Sequence, residues 1–437
     1  MSAVKGTVKT AAKPRSNSKA RQAPKAKAKA SLPSRGTPDF QLLILTLLLV
    51  GFGLVMVFSS SSSLTLASDK FGNDPLYFIK RQVMWVAMGT VVMFTAMNIH
   101  YSKFKKWYAP LFVLTLILLL LVAFTERING AKSWLSIGKM GIQPTELAKL
   151  SIILYLSALI TKKGERFRDL RTGYIPVMVI VGIVAGLIMM QPDLGSCLIL
   201  VATSGLVIYA GGASMKHILG SIALLVLGVG IVMGAKMAVD SLSPASNTAA
   251  VEGSYKLDRI TAFMDPLADE SDSGFNIVQS LIAFGEGGTT GTGFGQSVQK
   301  LHYLPYPYTD FIFSIVGEEL GFIGTSIFLL LYLYFIWRGI LIALRCTDPF
   351  GTLVGIGIMG LIAIQAFINI GGVTKTIPLT GVTLPFISYG GSSLLVSMLC
   401  MGIMLSISRE STRPVKEEVT KSVTVREIRN ARSAGGR

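Results

Sequence analysis

Residues 310–337 read DFIFSIVGEELGFIGTSIFLLLYLYFIW. Three acids and no base interrupt a run of 28 residues that is otherwise mostly apolar. At about 1.5 Å per residue, a helix of this length crosses the roughly 30 Å of hydrocarbon in a bilayer. Nine further apolar windows fall near residues 40–60, 82–99, 108–124, 142–161, 174–190, 194–211, 215–238, 351–372 and 384–408. The expected fold class is therefore an all-α polytopic membrane protein. It has ten transmembrane helices and one large extracellular loop, residues 239–309, between spans seven and eight. The composition agrees. Of 437 residues, 51% are hydrophobic and 15% charged, and the mean hydropathy is +0.58. A soluble domain carries about 25% charged residues. These figures exclude a soluble single-domain enzyme, a disordered chain and a fibrous repeat.

Charge fixes the expected orientation. The formal net charge is +17, and 29 Lys and Arg lie in the two tails and the loops on the same side as the tails. The opposite loops hold 10, and the acids lean the other way. The positive-inside rule then puts both termini in the cytoplasm. Residues 1–39 are expected to be a disordered basic cytoplasmic tail, with ten basic residues and no acid up to residue 37. Residues 40–408 form the membrane domain and 409–437 a second cytoplasmic tail. The basic tail adjoins a span, so its charge is read as attraction to anionic lipid, with no nucleic-acid partner. Cys197, Cys346 and Cys400 form no spaced pair and imply no disulfide or zinc site. The first apolar run follows a long polar tail and is span-length, which argues against a cleavable signal peptide.

The loop of about 70 residues before span eight is far longer than an ordinary connection. It ends in Pro305, Pro307 and Thr309, and then Asp310 opens the span. Asp310 reads either as a first-turn acid favoured by the helix dipole or as a general base at the water boundary. Glu318 and Glu319 lie roughly 12 Å further along the helix and cannot face the same way. At that depth an acid is paired or functional. Glu146 and Lys149, spaced i, i+3 in QPTELAKL, read as a structural ion pair that also lines a polar groove. The outer cations Arg127, Lys132, Lys139, Arg259, Lys300 and Lys375 are candidates for holding a phosphate or pyrophosphate. Arg259 and Lys300 are favoured because they share the loop that leads to Asp310. GEGGTTGTGFG (285–295) lacks the strand and βαβ context of a nucleotide loop, and flexibility is its expected role. PFISYGGSS (385–393) opens span ten. Its small residues permit close helix approach, and its hydroxyls could line a site. Trp134 fits an ordinary interfacial tryptophan.

Several stretches together resemble the SEDS family (shape, elongation, division and sporulation), which includes FtsW, RodA and SpoVE. They are NGAKSWLSIG with QPTELAKL, QPDLGS, RITAFMDP, GFNIVQSLIAFGEGG, GFGQSVQK, YTDFIFSIVGEELGFIG and LTGVTLPFISYGGSS, in order from Asn129 to Ser393. The resemblance, closer to FtsW or SpoVE than to RodA, implies a peptidoglycan glycosyltransferase. Such an enzyme polymerises lipid II into β-1,4 glycan strands at the outer face of the cytoplasmic membrane, in cell division or sporulation.

The resemblance also assigns roles. Asp310 becomes the catalytic aspartate of the TDFIF motif, acting as general base. Arg259, Lys300, Lys132, Trp134, Lys375, Ser388, Gly390, Gly391 and Ser392 become substrate-binding candidates. Glu146, Lys149, Glu318 and Glu319 become structural or groove residues. A divalent cation, Mg2+ or Mn2+, is expected, with no organic cofactor and no metal ligands assigned. The implied partners are a class B penicillin-binding protein (a transpeptidase) and division or sporulation proteins. The chain departs from the family pattern at Tyr306 and Tyr308, where Glu and His or Gln are usual, and at Ser133 and Thr380, where Arg and Lys are common. The alternatives are a lipid II flippase, an elongation-type polymerase and a scaffold without catalysis.

Overall fold

The computed structural model describes residues 36–124, 133–137, 140–191, 193–242, 262–267, 273–301 and 303–411. The expected disordered tail up to residue 35 and the second tail from residue 412 lie outside the described residues. Ten long apolar helices occupy the ten expected windows. They are α1 (Phe40–Leu66), α2 (Tyr77–Asn98), α3 (Phe104–Ala123), α4 (Pro144–Lys163), α5 (Ile175–Met189), α6 (Leu194–Ala210), α7 (Met215–Leu242), α9 (Ile312–Leu344), α10 (Pro349–Val373) and α11 (Gly391–Ser411). Among the described residues, seven segments are long and apolar enough by themselves to cross a membrane, built on α1, α3, α4, α5, α9, α10 and α11. α6 is shorter, α2 is not one of the seven, and the described apolar part of α7 is Met215–Leu225. An eleventh helix, α8 (Ser273–Gly287), lies inside the long outer loop, where the sequence pattern gave only a loop. A short antiparallel hairpin, β1 (Leu135–Ile137) with β2 (Met140–Ile142), precedes α4 and pairs Leu135 with Ile142.

Local chemistry starts these helices. The Asp39 carboxylate caps α1 by accepting from Leu42 N at 2.9 Å, and Asp193 caps α6 by accepting from Ser196 N at 2.9 Å. Proline fixes the first turns of α4, α5 and α10. Side chains then pack the helices into two buried clusters. One is built mainly from α1, α2, α9 and α11, and the other from α4, α5 and α6. α10 contributes to both. Small residues let α2 and α11 approach closely: a Cβ on Gly391 would enter the Trp85 indole, and one on Gly402 would meet the Met93 backbone.

α9 is not continuous. Gly321 has φ 65° and ψ −170°, which separates a half-helix, residues 312–320, from the longer segment 322–344. Broken helices in an apolar setting must find new partners for their freed backbone groups. Here the Gly-rich loop provides them. Phe322 and Ile323 N–H donate to the Gly288 and Thr289 carbonyls at 2.9 and 3.1 Å. The Glu318 and Glu319 carbonyls accept from Thr292 and Gly293 N–H at 3.0 and 3.1 Å. A Cβ on Gly321 would strike Gly291 N, so the two backbones touch. The expectation of flexibility for residues 285–295 is therefore corrected: these glycines permit close contact and left-handed turns at 288, 291, 293 and 295.

Helix ends distant in the chain meet. Asp39 meets Arg338 and Ser408, joining the start of α1 to the ends of α9 and α11. The opposite end carries Asp310, the hairpin, and the segments before α2 and α11.

Candidate active site

Asp310 is half-buried and stands two residues before α9. Thr309 Oγ1 donates to its Oδ1 at 2.8 Å. Its main chain is held from α10: Asn369 Nδ2 donates to the Asp310 carbonyl and to the Val382 carbonyl, both at 2.7 Å. Asn369 thereby links three segments of the site. Its own Oδ1 has no hydrogen-bond partner among the described residues. Gln365, one turn earlier on α10, bonds the Thr383 carbonyl at 3.0 Å, and Thr383 Oγ1 lies 3.2 Å from Ser393 Oγ. Two polar side chains at i, i+4 thus fasten the return segment 374–390 beneath Asp310.

The chain enters Asp310 through aromatic contacts. The Tyr308 ring lies 4.2 Å from Phe78 and 5.8 Å from Tyr389, and Tyr389 N donates to the Tyr308 carbonyl at 2.8 Å. Burial pushes the Tyr308 phenol well above its usual range, so it stays neutral. Tyr308, one of the departures from the family pattern, fills this position with packing surface. Tyr306, the other, is exposed and adopts a left-handed conformation with φ 50°. On the rim, Arg81 places its guanidinium 4.4 Å from the Tyr77 ring centroid, near Tyr389. Its neighbour Lys80 is taken up by Asp74 at 2.7 Å. Lys80 also holds the Asp74 carboxyl below its usual range.

Glu146, Lys149, Glu318 and Glu319 all have hydrogen-bond partners. Lys149 Nζ lies 2.9 Å from Glu146 Oε1 and 2.9 Å from Gln365 Oε1. Glu318 and Glu319 face different ways. Glu318 accepts from Ser297 Oγ at 2.6 Å and from Val298 and Gln299 N–H at 2.5 and 3.3 Å. Glu319 accepts from Ser59 Oγ at 2.6 Å and from Lys300 Nζ at 2.8 Å.

The remaining candidates divide. Lys300 is 4% exposed and committed to Glu319, which corrects its expected place among phosphate-binding cations. Ser388 caps its own turn by accepting from Leu384 N at 2.8 Å, and its carbonyl accepts from Gln82 Nε2 at 3.3 Å. Gly391 serves the close approach to Trp85, with Gly390 beside it at the turn. Ser392 Oγ is buried with no hydrogen-bond partner among the described residues. Trp134 packs its ring on Gly141 across the hairpin. Lys375 is half-buried in a left-handed turn just after α10, with φ 53°. Arg127, Lys132, Lys139 and Arg259 lie outside the described residues. No three His, Cys, Asp or Glu among the described residues come together to hold a metal ion, so the expected divalent cation has no protein-built cage there.

Sequence reasoning missed Arg81, counted only as loop charge, and Asn369. Asn369 and Gln365 did carry a signal: polar side chains one turn apart inside an apolar helix.

Comparison with known proteins places this geometry among relatives. The family model described as "Cell cycle protein", covering FtsW, RodA and SpoVE, matches residues 40–413. Stage V sporulation protein E of Bacillus subtilis is 42% identical over 380 residues, which cover 86% of this chain and 98% of that protein. A probable peptidoglycan glycosyltransferase FtsW of Geobacter metallireducens is 39% identical over 373 residues, covering 85% and 94%. Among solved structures, a chain of a peptidoglycan synthase complex superposes with a TM-score of 0.68 at 26% identity, covering 86% of this chain and 99% of that one. The rod shape determining protein RodA of Thermus thermophilus gives a TM-score of 0.60 at 26% identity, covering 86% and 98%.

Proposed function

We propose, because the chain belongs to the FtsW, RodA and SpoVE family of cell cycle proteins, that it is a multi-pass membrane glycosyltransferase that polymerises lipid II into peptidoglycan. The observation that carries the assignment of chemistry is Asp310. Its carboxylate is half-buried at one end of the bundle, its carbonyl is fixed by Asn369, and an aromatic-bedded guanidinium, Arg81, stands on the neighbouring rim. In this reading the Asp310 end faces outward from the bacterial cytoplasmic membrane, and both termini are cytoplasmic.

Asp310 takes the proton from the 4-hydroxyl of the acceptor N-acetylglucosamine. That oxygen attacks C1 of the donor N-acetylmuramic acid. The C1–O bond to undecaprenyl pyrophosphate breaks, and the new bond is β-1,4 with inversion. Arg81 faces the leaving diphosphate, with Lys375 and the outer-loop cations Lys132 and Arg259 as further candidates. A divalent cation, Mg2+ or Mn2+, would offset the charge of the diphosphate, and no residue is assigned to hold it. A class B penicillin-binding transpeptidase cross-links the product, in division or sporulation. The paired state of Glu146, Lys149, Lys300 and Glu319 supports polymerisation over flipping, since a flippase needs polar groups open to a cargo along its crossing.

The test is lipid II polymerisation by the purified chain, read as glycan ladders on a gel. Asp310→Asn should insert and fold normally yet lose roughly 10²–10⁴-fold in rate. Polymer formed by this variant at the wild-type rate sinks the assignment.

A further inference from the structure

The half-helix that follows Asp310 is not continuous with the helix behind it. A continuous helix would impose its direction on its first turn. The break at Gly321 removes that constraint, so segment 322–344 does not dictate where residues 312–320 point. Their direction comes from the backbone bonds of Thr292 and Gly293 to the Glu318 and Glu319 carbonyls and from side-chain ties. Ser314 Oγ lies 2.6 Å from Ser280 Oγ, which donates to the Val373 carbonyl at 2.7 Å. Glu318 grips the turn 297–299. Closest to the break, Glu319 meets Lys300 at 2.8 Å, and Ser59 of α1 touches both, at 2.6 Å from the carboxylate and 3.2 Å from the ammonium. Lys300, Glu319 and Ser59 are 4%, 1% and 2% exposed.

We infer that Lys300, through Glu319 and Ser59, is a positioning residue: this buried cluster sets the tilt of the half-helix 312–320 against α1 and thereby the place of Asp310. The inference deepens the reading of Asp310 as general base and rests on it. The leverage is geometric. Nine residues separate Glu319 from Asp310, about 13 Å along a helix. A tilt of about 5° at that distance displaces the far end by about 1 Å, and a displacement of that size can cost about 10²-fold in rate. The ammonium has no route to a diphosphate while it is buried against Glu319. A substrate-binding lysine and a positioning lysine therefore predict different kinetics.

The experiment uses the full chain in proteoliposomes, with lipid II as substrate. Two variants are compared, Lys300→Met and the double change Lys300→Met with Glu319→Gln. The single variant leaves a carboxylate buried without its counter-ion and should melt earlier. The double variant removes that charge and should recover the melting temperature. Under the inference kcat stays about 10²-fold low in both variants, while KM for lipid II moves less than about twofold. Amide hydrogen exchange over residues 312–320 rises in both variants, and this readout needs no catalysis. Recovery of kcat together with Tm in the double variant would make the pair purely structural and overturn the inference. A rise in KM at unchanged kcat would make Lys300 a substrate ligand and overturn it equally. Unchanged exchange over 312–320 rejects it whether or not polymer forms. A wild-type chain that makes no polymer counts against the functional reading instead.

Discussion

Two buried lysines in this bundle each meet a glutamate, and the two pairs sit in mechanically different surroundings. Lys149 pairs with Glu146 three residues away on α4 and reaches Gln365 on α10. Lys300 pairs with Glu319 across 19 residues, joining the outer loop and the half-helix to Ser59 on α1. The first pair lies between helices with no recorded break, whose direction is maintained by hydrogen bonding along their length. The second lies at the Gly321 break, where direction is not inherited. The same charge chemistry therefore has two consequences. Between intact helices a buried pair holds packing together. Beside a break it also decides where a remote carboxylate stands.

The comparison can be broken most directly at Lys149. Lys149→Met strands Glu146 and should destabilise the protein by about 3–5 kcal/mol, read from thermal unfolding in detergent. Adding Glu146→Gln should restore both stability and polymerisation, unlike the corresponding double change at Lys300 and Glu319. Persistent loss of kcat in the Glu146/Lys149 double variant would erase the distinction between the two pairs. Next in size is the break itself. Gly321→Ala puts a Cβ against Gly291 N in a left-handed conformation, at a cost of about 1–3 kcal/mol. Its polymerisation rate should fall further than its stability does, because the half-helix turns with the break.

A smaller effect is expected at Tyr308. Tyr308→Phe keeps the ring on Phe78 and should change stability and transition-state energy by less than about 1 kcal/mol. A collapse of activity comparable with Asp310→Asn would instead give the phenol a chemical role. The smallest effect belongs to the exposed Asp74–Lys80 pair. The folded-state pKa of Asp74 is lowered, so its contribution is present above the ordinary carboxylate range and is lost as pH falls through the folded value. Asp74→Asn should leave the neutral-pH melting temperature unchanged within error, most clearly at high salt.

Much of this was legible in sequence, for identifiable reasons. The apolar windows are a length requirement of the bilayer, and each of the ten windows became a helix. The Glu146–Lys149 pair follows from i, i+3 spacing alone. Adjacent residues on a helix point apart, and Glu318 and Glu319 do so. Lys300 was misread because an ammonium in a polar loop resembles a surface cation, and only folding brings it beneath the loop. The glycines at 287–293 were misread because backbone-to-backbone contact leaves no local pattern. Arg81 was passed over because its value depends on Tyr77 and Tyr389, which are distant from each other in the chain.

What the sequence determined by itself was whatever depends on period, length and local charge: the helices, the carboxylate at the head of α9 and the family likeness. The tertiary structure alone decided which buried charges meet, which amide holds Asp310 and where a helix breaks against a loop. Those outcomes depend on groups tens to hundreds of residues apart satisfying one another in a medium that supplies no water. No spacing rule encodes such a pairing until the chain has closed on itself.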